Sequence, residues 1–218
     1  MRNHFFCYPS ASNLSYIWGF GFLLSMVFGL QLVSGFLLST QYLTDIEKAF
    51  SNLDAIGRDI DFGWMLNFIH ANGASFFFIA ILFHISKSLI YNSYIKPRSI
   101  VWISGMLMYV LLMGIAFLGY ILPWGQMSYW GATVITNLLT VIPLVGDSIA
   151  TWVWGEFSVG EATLKRFFSL HYVLPFVLAA VVVMHLFSLH LAGSSNPTTS
   201  KKLPEDWKLF LYIYFIVK

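Results

Sequence analysis

The feature that most restricts this chain is the recurrence of long apolar runs. Four stretches, near residues 17–40, 63–91, 99–121 and 167–191, are each long enough to cross the hydrocarbon core of a bilayer, which takes about 20 residues as a helix. In lipid every backbone N–H and C=O must find its partner inside the same segment, so each run is predicted to be helical. The first run, Ile17 to Thr40, holds no Asp, Glu, Lys, Arg or His, and it begins too far in and runs too long for a signal-peptide core. Composition agrees. Of 218 residues 58% are hydrophobic and 10% charged, where soluble domains run at about 45–50% and ~25%. A water-soluble enzyme is excluded.

The link between the third and fourth runs, about 122–166, is long for a turn and contains a moderately apolar segment, Met127–Pro143, predicted to lie along the membrane interface. A further patch, Leu209–Val217, has about half the length of a span and reads as the start of another helix. The chain thus divides into a four-span domain over 1–197 and a tail over 198–218.

Loop charge sets the orientation, because Lys and Arg stay on the non-translocated side. With alternating spans, one side carries Arg2, Lys87, Lys96, Arg98, Lys201, Lys202, Lys208 and Lys218 against Glu205 and Asp206. The other carries Lys48, Arg58, Lys165 and Arg166 against Asp45, Glu47, Asp54, Asp59, Asp61, Asp147, Glu156 and Glu161. The N-terminus, the 92–98 link and the tail are therefore expected on the negative side of the membrane, matrix or cytoplasm. A formal net charge of +2 leaves no basic stripe for nucleic acid.

The single cysteine, Cys7, excludes an internal disulfide, a thiolate zinc site and a four-cysteine iron–sulfur cluster. Any metal must be held by histidine. Four histidines lie inside the runs: His70 and His84 in the second, His171 and His185 in the fourth, both pairs 14 residues apart. Fourteen helical residues turn through about 1400°, roughly 40° short of four turns, and rise about 21 Å. Each pair shares one helix face. Because both runs enter from the positive side, His70 and His171 are expected at one depth and His84 and His185 at another. A lone intramembrane histidine is ordinarily a hydrogen-bonding residue between helices. Four at a repeated interval and matched depths suit the axial positions of two stacked haems, and bis-histidine ligation leaves no open site, which points to electron transfer. Gly21 and Gly35 in the first run and Gly105 and Gly119 in the third repeat the same interval. A residue without a side chain admits a close ligand. By the same topology Gly21 and Gly105 match the depth of His84 and His185, and Gly35 and Gly119 that of His70 and His171.

Beyond this pattern, several blocks resemble one family. GYILPWGQMSYWGATVITN (119–137), FIHANGAS (68–75), LKRFFSLHYVLPF (164–176) and HLAGSSNP (190–197) are similar to segments of cytochrome b, the haem subunit of quinol–cytochrome c oxidoreductase (the bc1 complex, respiratory complex III). The likeness runs from about Tyr8 to Pro197. It implies an all-α membrane protein in which a four-helix bundle encloses two b haems. The low-potential haem would be held by His70 and His171 and the high-potential haem by His84 and His185. It further implies ubiquinol and ubiquinone as substrates. Implied partners are the Rieske iron–sulfur protein, cytochrome c1, a C-terminal cytochrome b half and other complex III subunits in a dimeric complex. The implied setting is the mitochondrial inner membrane, with a bacterial plasma membrane as the alternative.

Residue by residue, His190 and Ser194 match quinone-reduction positions, Gly131 and Ala132 match the helix bordering the quinol-oxidation pocket, just after Pro123 and Trp124, and Arg166 and Lys87 match cations near haem propionates. Three departures stand out. Asn67 sits where the family usually has an arginine; the extra N-terminal surface helix is not apparent; and the later half, with its Pro-Glu-Trp-Tyr loop, does not follow. The last departure leads to the expectation of a separate second chain, or of an incomplete product, and of quinone sites that this polypeptide cannot complete alone. The relative cytochrome b6 also ends after four spans. It has one more residue between the histidines of its fourth span and a membrane cysteine for a further haem, whereas both intervals here are 14 and Cys7 precedes the first run. Two further readings are a cytochrome b561-like di-haem reductase and a four-span scaffold whose histidines only hydrogen-bond. Haem content separates the scaffold from the rest.

Overall fold

The structure, a computed structural model, describes residues 14–197. Cys7, Tyr8, the 198–218 tail and the Leu209–Val217 patch lie outside the described residues. Those described are helical, with no strand among them. After a 3₁₀ turn over Tyr16–Gly19 the elements are α1 (Phe20–Ser39), α2 (Ala49–Asp59), α3 (Gly63–Ile90), α4 (Ser99–Ile121), α5 (Gln126–Asn137), a second 3₁₀ turn (Leu138–Val141), α6 (Gly146–Trp154) and α7 (Glu161–Ala192).

Four of these, α1 with its 3₁₀ turn, α3, α4 and α7, are long and apolar enough to span a bilayer. They are apolar on every face, as a helix bathed in hydrocarbon requires. Val33, Ile103 and Val183 are 62%, 66% and 67% exposed, so the outward surface of the spans is the surface that lipid would cover. The fourth span begins at Glu161, six residues before the apolar run. Its polar first turn is held by a Lys165–Glu161 ion pair at 2.6 Å and by Glu156, whose Oε1 accepts the Ala162 N–H at 2.7 Å. The carboxylate satisfies an otherwise orphan N–H at the positive end of the helix dipole. Pro175 lies within this helix and brings no N–H, so the His171 carbonyl loses its usual helical partner.

The segment predicted to be interfacial, Met127–Pro143, is built as α5 and the second 3₁₀ turn, and α6 follows in the same link. A further amphipathic helix, α2, joins the first two spans, and its Ala49 and Ile56 are buried. Sequence reading left this link without an element, because its run of alternating charge hides the apolar face.

The chain forms two compact units, and each span contributes to both. One unit holds 30–74 and 111–178. Its core is Leu118, Ile121, Ala132, Val159 and Phe167, with Phe117, Trp124, Tyr129, Val153, Trp154 and Leu174 packed around it. Buried hydroxyls and an indole around this core are paired, as low-dielectric surroundings favour. Trp154 Nε1 donates to Thr136 Oγ1 at 2.7 Å, and that hydroxyl donates to the Ala132 carbonyl at 2.7 Å. Thr163 Oγ1 donates to the Trp154 carbonyl at 2.9 Å and accepts from the Gly160 N–H at 3.1 Å. Where α4 ends before Pro123, the Leu122 carbonyl accepts the Tyr42 hydroxyl at 2.5 Å. Desolvation pushes that phenol above its ordinary range, so the hydroxyl stays a donor.

The second unit comprises residues up to 29, 75–110 and 179 onward. Phe20 stacks on Phe83 at 5.2 Å, and Phe78 meets Tyr109 edge-on at 6.4 Å. Such pairs contribute beyond their buried area.

Two outcomes follow. Gly155 closes α6 in the left-handed region at φ 78°, and a Cβ there would meet the Arg166 guanidinium carbon at 2.7 Å. Gly155→Ala should lower stability by about 1–3 kcal/mol, read as the thermal midpoint in detergent. Tyr42→Phe should cost about 1 kcal/mol. Because the folded phenol is raised, its contribution is fully present below pH 10, the ordinary tyrosine value, and fades as pH climbs past it. The Phe variant should lack that alkaline decline.

Candidate functional site: two sets of paired imidazoles

In the first unit His70 of α3 and His171 of α7 face each other, with ring centroids 6.2 Å apart and planes at 90°. Each ring lies against a glycine. A Cβ at Gly35 would stand 2.8 Å from His70 Cε1, and one at Gly119 would stand 2.5 Å from His171 Cε1. The glycines are there because no other side chain leaves the imidazole its place.

Each imidazole is also held through Nδ1. Ser34 Oγ lies 2.9 Å from His70 Nδ1 and donates its own proton to the Leu30 carbonyl at 2.7 Å. With that proton engaged, the hydroxyl oxygen accepts, so Nδ1 carries the hydrogen and Nε2 keeps its lone pair. His171 Nδ1 lies 2.8 Å from the Ile115 carbonyl, which can only accept, and the same assignment follows. Both rings thus keep Nε2 available to a metal, the usual consequence of an outer hydrogen bond at Nδ1. Gln31 Nε2 donates to the His70 carbonyl at 2.8 Å, and a Cβ at Gly73 would meet Gln31 Oε1 at 2.5 Å.

In the second unit Gly21 faces His84 and Gly105 faces His185, each with 3.4 Å between a built Cβ and Cε1. Ser104 Oγ lies 2.8 Å from His185 Nδ1 and is 3.0 Å from the Val101 carbonyl to which it donates. Lys87, the basic residue in the last turn of α3, donates to Ser195 Oγ at 3.0 Å and sits 4.8 Å from the Trp18 ring centroid. Trp18 Nε1 donates to the Ser195 carbonyl at 2.9 Å. Arg98 donates from Nε to the Gly193 carbonyl at 2.7 Å and from Nη2 to the Ser194 carbonyl at 2.9 Å. His190 lies in the last turn of α7.

Sequence reasoning thus named all four histidines and the four glycines that the structure sets against them. Arg166 is placed otherwise than with the imidazoles: it donates to the Trp152 carbonyl and packs on Gly155. Ala132 is fully buried in the α4–α5–α7 core, and Gly131 lies beside Tyr120. A shallow open cavity close by is lined by Trp124, Gly125, Gln126, Tyr129 and Trp130. Asn67 precedes His70 by almost one turn of α3. Ser34, Ser104, Gln31, Arg98 and Trp18 were missed. Ser34 and Ser104 immediately precede Gly35 and Gly105, a signal that the glycine interval alone could have exposed.

Among the described residues no group of three or more His, Cys, Asp or Glu side chains is placed to hold a metal ion. The His70 and His171 imidazoles stand as a pair, a donor set that would suit a metal whose other positions are filled by its own macrocycle. Fold and geometry define a multi-span helical membrane protein with paired, glycine-backed imidazoles. The family model for cytochrome b/b6/petB matches residues 5–193. Cytochrome b of Chondrus crispus is 50% identical over 218 residues, covering 100% of this chain and 57% of that protein. Cytochrome b of Solanum tuberosum is 50% identical over the same length, covering 55% of that protein. Among solved structures, a chain of a hyperthermophilic respiratory complex III superposes with a TM-score of 0.85 at 33% identity, covering 99% of this chain and 61% of that one. The chain belongs to the cytochrome b family. It spans little more than half the length of these relatives.

The difference in glycine clearance is testable. Gly35→Ala and Gly119→Ala should displace an imidazole and lower stability by about 1–3 kcal/mol, whereas Gly21→Ala and Gly105→Ala should stay within about 1 kcal/mol of the parent. Thermal unfolding of the purified complex in detergent measures both.

Proposed function

We propose that this chain is the di-haem portion of a cytochrome b that carries electrons across an energy-transducing membrane within ubiquinol–cytochrome c oxidoreductase. The observation that carries the reading is the His70–His171 pair. Two imidazoles binding one metal from opposite sides, at roughly 2 Å each, have ring centres about 6 Å apart, and these stand 6.2 Å apart. Gly35 and Gly119 back the two rings, and Nδ1 of each is engaged, so the residues present fit a bis-histidine haem. A bound b haem supplies reversible one-electron transfer between ferric and ferrous iron.

His70 with His171 would hold the low-potential haem, and His84 with His185 the high-potential one. Gly35, Gly119, Gly21 and Gly105 keep room beside the four rings. Lys87 would place positive charge near a haem carboxylate while Ser195 and Trp18 fix its ammonium group. Arg166 is assigned the same task at the other haem, on the family resemblance alone. His190 and Ser194 would bind quinone at the negative side, where an imidazole can donate to a carbonyl and pass on a proton. Gly131 and Ala132 would border the quinol-oxidation pocket, beside the cavity lined by Trp124 and Tyr129. Passing one charge across the membrane stores about 2.3 kcal/mol per 100 mV.

The Rieske iron–sulfur protein, cytochrome c1, the C-terminal half of the cytochrome b fold and other complex III subunits are the partners this reading requires, in a dimeric complex. The setting is the mitochondrial inner membrane, with the N-terminus on the matrix side as the loop charges favour.

Pyridine haemochrome analysis of the purified complex should give two b haems per chain. His84→Leu or His185→Leu should remove one while the other keeps its reduced-minus-oxidised band. A colourless complex, or retention of both haems in these variants, would overturn the assignment.

A further inference from the structure

Two of the four imidazoles are held by serines that the haem pattern does not require. Ser34 and Ser104 each stand one residue before a ring-backing glycine. They are 3% and 4% exposed, so water cannot substitute for their hydroxyls. Each hydroxyl sends its proton to a carbonyl of its own helix, Leu30 for Ser34 and Val101 for Ser104. Each oxygen is then left to accept from Nδ1–H, of His70 at 2.9 Å and of His185 at 2.8 Å. The residues before the other two glycines, Phe20 and Leu118, offer no such acceptor, and His171 uses a backbone carbonyl instead. The serines are therefore shared out, one to each histidine pair.

We propose that Ser34 and Ser104 are positioning residues that fix the tautomer and azimuth of His70 and His185, each setting the ligand strength at one haem independently of the other. The inference rests on the bis-histidine reading above. A hydrogen bond from Nδ1–H to an acceptor raises the basicity of Nε2. A more basic ligand favours the ferric state, so losing the acceptor raises the midpoint potential.

The test is a redox titration with low-temperature electron paramagnetic resonance on the purified complex. Ser34→Ala should raise the potential and shift the low-spin ferric signal of the His70/His171 haem, leaving the other unchanged. Ser104→Ala should do the converse. Ser34→Thr and Ser104→Thr, which keep a hydroxyl, should stay close to the parent. Loss of only the affected haem in an Ala variant, with its Thr counterpart loaded, also supports the proposal. Unchanged potentials and signals in both Ala variants would overturn it, as would equal shifts of both haems in either one. The haemochrome count of the unmodified complex separates the two levels: two haems with no shift refute the serines' role alone, and no haem refutes the reading beneath it.

Discussion

An imidazole inside a membrane span has two ring nitrogens and no water to satisfy them, and much of this structure answers that single requirement. Nδ1 of His70, His171 and His185 is paired with Ser34, the Ile115 carbonyl and Ser104. The opposite nitrogen of each keeps its lone pair. Gly35, Gly119, Gly21 and Gly105 hold back bulk where the rings lie. The unpaired alternative, a buried polar ring without a partner, costs roughly 2–7 kcal/mol by transfer to an apolar medium. Helix spacing, small residues and hydroxyl placement are thus parts of one arrangement.

The two units meet the requirement with different tolerances. Around His70 and His171 the glycine clearances are closed, and in the same unit Trp154 is bonded to Thr136 and Thr163. Around His84 and His185 they are at ordinary contact distance. There, order comes from cations: Lys87 with Ser195 and Trp18, and Arg98 with two successive carbonyls. Cations suit the task because carbonyls at a helix end carry partial negative charge.

Much of this was legible in the sequence. Apolar length located the spans, the third of them to the residue, and the repeated interval of 14 paired each histidine with its glycine. What escaped has physical reasons. The Ile115 carbonyl belongs to the backbone and leaves no mark on residue type. Serine is common in membrane helices, so Ser34 and Ser104 look like filler until the rings are placed. Helix α2 was hidden by its charges, and α7 starts before its apolar run because Glu156 and a Glu161–Lys165 pair stabilise a polar first turn. Arg166 carries a charge that suits a haem carboxylate, yet its guanidinium meets the end of α6, a partner that only the folded loop reveals.

Arg98 makes a contact with a meaning for assembly. Its carbonyl partners, Gly193 and Ser194, lie 95 and 96 residues downstream, past the end of the fourth span. During synthesis that guanidinium must wait until the fourth span has emerged before its acceptors exist. The clamp therefore acts as a latch that engages only once the fourth span has been made.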